Sequence, residues 1–410
     1  MRTVTLHLAD PIKLVSALVS LDGYAERIAL ASGDMPLRDA VSIAVDAGGG
    51  VIVTDSNDET AVSAVDVVRW VANDEGTRRG RPANHSMQQT RWVFATSGTT
   101  GTPKLVEHTL EHLLRAIKTD DGRSLRWGLL FNAARFAGAQ VMLQGLLGGG
   151  GLLLPPNGCS LNDSVAFFGN AGCTALSATP TMWRKILMTS RAERLTLRQI
   201  TLGGEIADAT ILNALSVRFP HARLTHIYAS TEAGTIFPVH DGLPGFPSAY
   251  LELRLGRPEV QVRDSRLYVR LKTGSAFYVG TGAAITGTDG FVDTGDIVRL
   301  DGDRFLFVGR ANGSINVGGN KLHPDEVEAI LLRHPDVLAA RVYGKKNSVM
   351  GELVAAELVS ADGDRDTARL TADIRLHCGS YLDPWKVPAI IRFVTEIATN
   401  TSGKAERKVH

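Results

Sequence analysis

The amino-acid sequence predicts an α/β protein: a large domain of parallel sheets, then a β-rich segment, then a smaller α+β unit. From about residue 90, strand-like apolar runs alternate with helix-like segments, a pattern typical of parallel sheets with helices on their faces. Near residue 245 the apolar residues begin to alternate with period two, as in half-buried antiparallel strands. After Gly309 helices and strands follow each other within roughly one hundred residues, which is the size of a compact domain.

The alternating region divides, in chain order, into expected strands and expected helices. The strands are RWVFA, WGLLF, GLLLP, TALSA, ITLGG and LTHIYA. The helices are EHLLRAIK, AQVMLQGLL, TMWRKILM and ATILNALSVRF, and the hydroxyl of Thr109 can cap the first of them. Because ligands of open α/β sheets bind beyond the carboxyl ends of the strands, the segments that follow these strands are the first candidates for a site.

The chain beyond the alternating region is predicted to form two further units. LELRL, VQVRD and RLYVRL are expected antiparallel strands, PDEVEAILLRH and TARLTADIRLHC are expected helices, and LAARVYG, LVAAELV and IIRFVTEI are expected strands. We predict a large N-terminal domain over residues 1–309, with a small β-barrel-like subdomain at about 245–309, and a mobile α+β C-terminal domain over residues 310–410. The segment ANGS at 311–314 is the expected hinge.

The composition and net charge of this chain limit which classes of partner it is expected to bind. Of its 410 residues, 44% are hydrophobic and 21% are charged, and the formal net charge is +1, which describes an ordinary globular protein. Such a balance gives no bulk attraction to nucleic acid or to an anionic membrane, so neither is an expected partner. Three cysteines lie far apart, at Cys159, Cys173 and Cys378, with no metal spacing and no disulfide framework. A reducing cytoplasm is therefore the expected location.

Neither apolar stretch of the chain is a membrane signal. The N-terminal segment is interrupted by Asp10 and Lys13, whereas a secretory signal peptide has a continuous apolar core. The longest apolar run, from Phe136 to Leu154, contains two glutamines and four consecutive glycines. We expect it to form a buried helix, a glycine turn and a strand, because a membrane span needs about 20 predominantly apolar residues.

Three polar or glycine-rich segments follow expected strands: TSGTTGTPK at 96–104, LGGE at 202–205 and YASTEAG at 228–234. In the first segment, glycine N–H groups and Ser/Thr hydroxyls can surround pyrophosphate oxygens while Lys104 adds a positive charge. Its spacing is not that of the common phosphate loop, in which Gly-Lys-Ser/Thr follows an earlier glycine. A mobile surface loop is the alternative interpretation.

The segment YASTEAG combines an aromatic ring, hydroxyls and a carboxylate. Tyr228 could stack on a nucleobase, Thr231 could bond a phosphate, and Glu232 could hold Mg²⁺, which takes hard oxygen ligands from carboxylates and phosphates. The alternative is a helix N-terminus stabilised by a glutamate. The preceding Gly203 and Gly204 would allow a flat ring to approach closely.

Two segments near the C-terminus carry the remaining candidates. DGFVDTGDIVRLDGDRFLFVGR is expected to be a hairpin that bears Asp296 and ends at Arg310. The Asp296 carboxylate could accept both hydroxyls of a ribose, and Arg310 could add a donor, although a turn-forming aspartate is the alternative. In NTSGKAERKVH, Lys404 lies between a glycine and a charged stretch, and taken alone it could be a solvated charge.

In this order and spacing, TSGTTGTPK, YASTEAG, TGD, GR…GGNKLHPDEVE and TSGKAER resemble the motifs of the adenylate-forming superfamily. That superfamily includes acyl-CoA synthetases, nonribosomal adenylation domains and firefly luciferase. The resemblance runs from about residue 90 to the end, and residues 1–90 are shorter than the usual N-terminal portion of the family.

The resemblance implies that the chain binds ATP with Mg²⁺. The first loop would hold the β- and γ-phosphates, LGGE and Tyr228 would sandwich the adenine, and Asp296 with Arg310 would take the ribose. The expected nucleotide-binding residues are Thr96, Ser97, Gly98, Thr99, Thr100, Gly101, Lys104, Gly203, Gly204, Glu205, Tyr228, Ala229, Ser230, Asp296, Arg310 and Lys321.

The resemblance also implies a reaction. A carboxylate and ATP would give an acyl-adenylate and pyrophosphate, and the acyl group would then pass to a thiol. Thr231 would contact the α-phosphate, Glu232 would be the metal ligand, and Lys404 would bridge the carboxylate and the α-phosphate. Because the carboxylate is already ionised, no protein nucleophile or base is needed, and catalysis consists of positioning and charge neutralisation.

The kind of acid that the chain would bind is inferred from the segment FNAARFAG at 131–138. Amino-acid-activating relatives place an aspartate after the phenylalanine to hold the α-ammonium, and Asn132 stands there instead. Arg135 occupies the place of a gating histidine and could pair with a polar group of the substrate or make a structural ion pair. With Phe136, these residues favour a small aryl or short polar acid without an α-ammonium.

Four positions depart from the family pattern: Leu105 and Ala229 replace glycines, Asn312 replaces the usual Asp or Lys of the hinge, and Arg135 replaces the histidine. None of these changes removes a group that the first reaction needs. We therefore expect an acid–thiol ligase whose acceptor is coenzyme A or the phosphopantetheine of a free acyl carrier protein. The alternative is a catalytically degenerate nucleotide-binding module with a regulatory or scaffold role.

Overall fold

A computed structural model describes residues 3–58, 64–70, 89–96, 104–119, 124–252, 259–271, 276–279, 285–348, 350–361, 366–400 and 403–406. It contains four sheets: one of seven strands, one of six and two of five. The mixture of parallel α/β sheets, an antiparallel sheet and a smaller α+β unit agrees with the fold class predicted from the sequence.

The first sheet is built from the N-terminal part of the chain. Its elements are β1 (Val4–Leu8), α1 (Pro11–Leu21), β2 (Arg27–Ser32), α2 (Leu37–Asp46), β3 (Val51–Thr54), β4 (Asp66–Arg69), β5 (Arg91–Ala95), β6 (Leu105–Thr109) and α3 (Leu110–Leu114). Strands β5-β2-β1-β3-β4 are parallel, and β6 pairs antiparallel with β5. Thr109 caps α3 as expected, accepting from the His112 N–H at 3.1 Å.

The second sheet contains the series of strands and helices predicted from the alternating pattern. Its elements are β7 (Arg126–Gly128), α4 (Phe136–Leu147), β8 (Gly151–Leu153), α5 (Leu161–Asn170), β9 (Ala175–Ala178), α6 (Pro180–Met188), β10 (Gln199–Gly203), α7 (Ala209–Arg218), β11 (Arg223–Ser230) and β12 (Gly234–Val239). The strand order is β12-β11-β10-β9-β7-β8, and only the β11–β12 pair is antiparallel.

The β-rich segment forms a third, wholly antiparallel sheet. Its elements are β13 (Phe246–Pro247), β14 (Val260–Arg263), β15 (Arg266–Arg270), β17 (Phe291–Asp301) and β18 (Arg304–Arg310), whereas β16 (Ala276–Tyr278) joins β6 in the first sheet. Two of the three expected strands are present. The third, LELRL, lies mostly outside the described part of the chain: Leu251 ends a short 3₁₀ helix, Ser248–Leu251, and residues 253–258 are not described.

The C-terminal α+β unit follows a single 3₁₀ turn, Ala311–Gly313, at the predicted hinge. Its elements are β19 (Ile315–Val317), β20 (Asn320–Leu322), α8 (Pro324–Leu331), β21 (Val337–Asn347), β22 (Gly351–Ser360), α9 (Thr367–Gly379) and β23 (Ile390–Phe393). Helix α8 ends three residues before the predicted boundary. In the part of the chain that the structure describes, no helix has the length and apolar character needed to cross a membrane.

The core of the second sheet fixes helix α6 against the carboxyl ends of β9 and β10. Trp183 of α6 is fully buried, and its indole N–H donates to the Thr201 carbonyl of β10 at 3.0 Å. An aromatic side chain of this size contributes a large apolar contact, and a buried indole N–H requires a partner. Helix α6 is therefore held in register against β10, with its N-terminus at the carboxyl end of β9.

Candidate active site

The carboxyl ends of three neighbouring strands converge on one edge of the second sheet. Strand β10 is parallel to both β9 and β11. The strands are followed by Thr179, by Gly204–Glu205 and by the turn at Thr231–Ala233, which connects β11 to β12. The YASTEAG segment thus ends in a hairpin turn, and the alternative of a helix N-terminus is wrong. This edge is where open α/β sheets bind ligands.

The glycine-rich loop is described only at its two ends. Ser97, Gly98, Thr99, Thr100 and Gly101 lie outside the described residues. The Thr96 N–H donates to the Lys104 carbonyl at 2.8 Å, so the loop leaves and re-enters the sheet at adjacent points. The Lys104 ammonium lies 5.1 Å from the ring centroid of Tyr278, within the range of a cation–π interaction.

Tyr278 is a site residue that the sequence analysis missed. Burial and, after it, the negative charge of Glu232 raise the pKa of its hydroxyl. Tyr278 therefore lies between the Lys104 end of the loop and the turn that carries Glu232. The position lies in a short strand, β16, that returns to β6 from a distant part of the chain, and nothing in its local sequence indicated that return.

The turn that carries Thr231 and Glu232 is supported from behind by two histidines, also missed. His108 Nε2 lies 2.7 Å from the Thr231 carbonyl, and its Nδ1 lies 2.8 Å from His112 Nδ1. A carbonyl can only accept, so His108 carries its proton on Nε2 and accepts from His112. Burial, together with His112, lowers the pKa of His108 to about 3, so the ring is neutral at physiological pH.

Buried neutral histidines make the stability of this protein acid-sensitive. Besides His108, His226 on β11 has a pKa lowered by burial to about 4, against about 6.5 in an unfolded chain. Between pH 6.5 and 4 the unfolded state binds more protons, so the free energy of unfolding falls as pH falls. From pH 7 to 5 we expect a loss of about 2 kcal/mol per histidine.

The measurement is urea unfolding at both pH values, with His108→Gln as the comparison. Glutamine keeps a donor for the Thr231 carbonyl and does not titrate, so the variant should lose about half of the pH dependence. A urea midpoint that is equal at pH 7 and pH 5 in the unmodified protein would contradict the neutral buried state.

The predicted ribose residues form a hydrogen-bonded line. The Tyr228 hydroxyl donates to Asp296 Oδ2 at 2.5 Å, and Arg310 Nε lies 3.2 Å from Asp296 Oδ1. Burial raises the pKa of Asp296, although Arg310 opposes this effect. Arg310 also donates to the Thr294 carbonyl at 2.7 Å. The Tyr228 ring packs against Phe237 and Phe307, at centroid distances of 5.2 and 5.0 Å.

Lys404 lies among these groups although it belongs to the C-terminal tail. A Cβ placed on Gly204, whose φ is +82°, would lie 3.0 Å from Lys404 Cε, so the lysine side chain crosses over this glycine. Burial is the largest effect and lowers the pKa of Lys404. Among the charged neighbours, Glu205 has the largest effect and raises the pKa, and Arg310 lowers it. Asp296 and then Glu232 raise it by smaller amounts. The structure thus brings together residues from four separate segments around one ammonium group.

The Glu205 carboxylate, which we expected beside the adenine, accepts from two backbone N–H groups. Its Oε1 accepts from the Ala405 N–H at 2.7 Å, and its Oε2 accepts from the Thr181 N–H at 2.9 Å.

Lys321 lies on an exposed strand of a hairpin, and within the described ranges it forms no ion pair with the group around Lys404. Ala229 and Ser230 end β11, and the Ser230 hydroxyl accepts from the Ala233 N–H at 3.0 Å.

The residues expected to contact the acid are engaged within the protein. Asn132 donates to the Ser32 hydroxyl at 2.5 Å and accepts from the Ala134 N–H at 2.9 Å. Arg135 donates to the Ala95 carbonyl at 3.3 Å, one residue before the glycine-rich loop. Phe136 is buried, and its ring lies 5.7 Å from Phe94 and 5.5 Å from His108.

A cavity of about 100 Å³ lies beside Lys404, between the second sheet and the C-terminal tail. Its lining residues are Leu130, Phe131, Ala178, Met182, Asn400 and Gly403. The walls are mostly apolar, and Gly403 directly precedes the lysine. The volume lies well below the roughly 300–1,000 Å³ of pockets for drug-sized ligands, so only a small group fits between these walls.

Comparison with known protein families agrees with this geometry. Residues 31–271 match the family described as AMP-binding enzyme, and residues 326–404 match the AMP-binding enzyme C-terminal domain. The chain belongs to the AMP-binding enzyme family. The resemblance inferred from the ordered motifs is thereby confirmed.

Characterised members of the AMP-binding enzyme family are similar along most of this chain. Surfactin synthase subunit 1 of Bacillus subtilis (strain 168) is 27% identical over 404 residues, covering 88% of this chain and 11% of that protein. The 4-hydroxybutyrate–CoA ligase 1 of Metallosphaera sedula is 28% identical over 369 residues, covering 82% of this chain and 64% of that protein. The chain therefore spans less than two thirds of the length of either relative.

Solved structures of the family share the fold. The anthranilate CoA ligase AuaEII, solved in complex with anthranoyl-AMP, superposes with a TM-score of 0.80 at 18% sequence identity, covering 98% of this chain and 86% of that one. At this identity the likeness establishes the architecture of the AMP-binding enzyme family, and the roles of individual residues depend on the geometry described above.

Proposed function

We propose that this protein activates a carboxylic acid with ATP, releasing pyrophosphate, and then transfers the acyl group to a thiol. The observation that carries this proposal is the burial of Lys404 at the carboxyl ends of β9 and β10, within the electrostatic reach of Glu232, Asp296 and Arg310. A buried positive charge near an aspartate suited to ribose hydroxyls and a glutamate suited to a metal ion fits a reaction in which two anions must meet. Positioning and electrostatic stabilisation supply the catalysis.

The ATP site is assigned along the edge of the sheet. The glycine-rich loop with Lys104 would receive the β- and γ-phosphates, since its ends meet beside Tyr278. Gly203, Gly204 and the ring of Tyr228 would border the adenine. Asp296 presents a carboxylate, held by Arg310, to the ribose hydroxyls.

The turn after β11 is assigned to the α-phosphate and to Mg²⁺. The Thr231 hydroxyl would meet the α-phosphate, and Glu232 supplies the hard oxygen ligand that Mg²⁺ prefers. The donor fits the ion, because Glu232 is a half-buried carboxylate whose charge reaches both Tyr278 and Lys404. When bound, Mg²⁺ neutralises phosphate charge, while the protein fixes Glu232 through the His108 bond to the Thr231 carbonyl.

The acid would occupy the cavity next to Lys404, and the thiol would be coenzyme A or the phosphopantetheine of a carrier protein. A mostly apolar cavity of about 100 Å³ favours a small aryl or short acid. We also place the protein in the cytoplasm, because all three cysteines are free thiols, as is usual in a reducing compartment.

The test is a panel of acids, assayed for pyrophosphate release with ATP and Mg²⁺. We expect activity with small acids, for which benzoate, anthranilate and 4-hydroxybutyrate are the probes. Palmitate and the proteinogenic α-amino acids should be poor substrates, because the cavity is small and Asn132 cannot pair with an ammonium. Efficient activation of palmitate would contradict the size argument, and efficient activation of an α-amino acid would contradict the role of Asn132.

The same panel separates the enzyme from a degenerate nucleotide-binding module. A module without chemistry would bind ATP and release no pyrophosphate with any acid. The charged residues that the chemistry needs, Lys104, Glu232, Asp296 and Lys404, are all present, and the charges of Asp296 and Glu232 act on Lys404, which supports the enzyme.

A further inference from the structure

The backbone on both sides of Lys404 is held by side chains of the large domain. The Thr179 hydroxyl donates to the Gly403 carbonyl at 2.5 Å, and Glu205 Oε1 accepts from the Ala405 N–H at 2.7 Å. These contacts join residues more than 190 positions apart in the chain. The peptide groups that flank the lysine are therefore fixed, which leaves its side chain directed over Gly204.

Both holding side chains are themselves fixed at the N-terminus of α6. The Thr179 hydroxyl oxygen accepts from the Met182 N–H at 3.1 Å, and Glu205 Oε2 accepts from the Thr181 N–H at 2.9 Å. The first N–H groups of a helix have no partner within the helix and need such acceptors. Because Trp183 locks α6 onto β10, Thr179 and Glu205 form a rigid pair of attachment points.

We propose that Glu205, together with Thr179, is a positioning residue that holds Lys404 in the site for acyl-adenylate formation. The proposal rests on the two-step function proposed above. It replaces the adenine-binding role expected for Glu205 from the sequence. The carboxylate acts twice: it accepts the Ala405 N–H, and its charge favours the protonated form of Lys404.

A second contact between the same two parts of the protein provides a control. Lys185 Nζ lies 3.3 Å from Glu396 Oε2, and the Glu396 side chain is 73% exposed. An ion pair with one solvated partner contributes about 0–1 kcal/mol. Lys185 Nζ also donates to the Thr399 hydroxyl at 3.5 Å. Lys185→Ala therefore breaks side-chain contacts between the large domain and the tail and leaves the bonds from Thr179 and Glu205 in place.

The first experiment needs no substrate. Lysines are acetylated with N-hydroxysuccinimidyl acetate for short times, and the labelling rate of each lysine is measured by mass spectrometry. A buried amine reacts only when its segment opens, and loss of a hydrogen bond to a charged group costs about 1.5–3 kcal/mol. Lys404 should therefore be acetylated at least about tenfold faster in Glu205→Ala than in the unmodified protein. The exposed Lys345 should be acetylated equally fast in both proteins.

Variants at Thr179 and Lys185 test whether the labelling of Lys404 depends on the bonds that hold Gly403 and Ala405. Thr179→Val should also increase labelling of Lys404, and Thr179→Ser, which keeps the hydroxyl, should restore the protected state. Lys185→Ala should leave Lys404 labelling within about twofold. Equal protection of Lys404 in the unmodified protein and in Glu205→Ala would overturn the proposal, provided that both proteins show the same thermal unfolding midpoint.

The second experiment is a double-mutant cycle on ATP–pyrophosphate exchange, using the panel acid that gives the fastest exchange. Glu205→Ala should lower exchange at least about tenfold in the unmodified background and by less than about twofold in the Lys404→Ala background, because a positioning residue acts through the group it positions. Thioester formation from supplied acyl-adenylate should be unchanged. Equal losses in both backgrounds would overturn the inference. If no acid supports exchange, the proposed function fails, and the labelling experiment still decides the role of Glu205.

Discussion

Replacing Lys404 with alanine should slow acyl-adenylate formation by about 10²–10³-fold, the range seen when one preorganised transition-state donor is removed. In the function proposed above, the ammonium meets the acid carboxylate and the α-phosphate, which are both negative. A cation at that point stabilises charge that develops in the transition state. Burial lowers the pKa of Lys404, and the carboxylates of Glu205, Asp296 and Glu232 oppose this effect.

The same variant should convert a supplied acyl-adenylate to thioester at a nearly normal rate. In that half-reaction a thiol attacks a carbonyl that is already activated, and the tail that carries Lys404 would obstruct its approach. The measurement compares ATP–pyrophosphate exchange with thioester formation, and Lys345→Ala, at an exposed position, is the control. If Lys404→Ala slowed both half-reactions equally, the assignment of the lysine to the first step alone would fail.

Glu232→Gln should raise the Mg²⁺ concentration needed for half-maximal activity at least about tenfold. It should also lower turnover by about 10²-fold at limiting Mg²⁺. Glutamine keeps the shape of the side chain and its place in the turn between β11 and β12, but it removes the charge that a hard cation prefers. Excess Mg²⁺ should restore part of the loss, because the metal can still be held by phosphate oxygens.

The measurement is a Mg²⁺ titration of pyrophosphate release at fixed ATP. Glu193→Gln removes the same charge from a 3₁₀ turn outside the site and should leave the titration unchanged. A Glu232→Gln protein with normal turnover at low Mg²⁺ would show that this carboxylate is not the ligand.

The sequence predicted the local elements of the second sheet well, because each is determined by its own residues. Strand β10 and helix α7 lie within one residue of their predicted bounds, since Gly203–Gly204 ends the strand and the Asp208 side chain caps the helix. The strand expected at LELRL stays a prediction, because residues 253–258 lie outside the described part of the chain. Leu251 packs against the core of the third sheet.

The site was harder to predict because its contacts join distant segments. The motifs indicated Lys404, Asp296 and Glu232 as separate candidates, and only the resemblance to a family placed them together. Nothing near Glu205 shows that a tail two hundred residues later donates a hydrogen bond to it. Thr179 did carry a signal: a threonine directly before a proline, at the end of a strand, is a helix N-cap.

The two bonds that hold Gly403 and Ala405 also set how often the tail is away from the site. A neutral hydrogen bond contributes about 0.5–1.5 kcal/mol and one to a charged group about 1.5–3 kcal/mol, so together they favour the closed orientation by about 2–4.5 kcal/mol. Because an equilibrium constant changes tenfold for each 1.4 kcal/mol, an open orientation opposed by these two bonds alone would be occupied roughly 0.06–4% of the time. Lid motions take microseconds to milliseconds, while enzymes of median speed turn over about ten times per second. At about a millisecond per opening, the tail would open about every 30 ms if the two bonds contribute about 2 kcal/mol, and only about every 2 s if they contribute about 4.5 kcal/mol. In the second case the release of the lysine, and not the chemistry, would limit turnover.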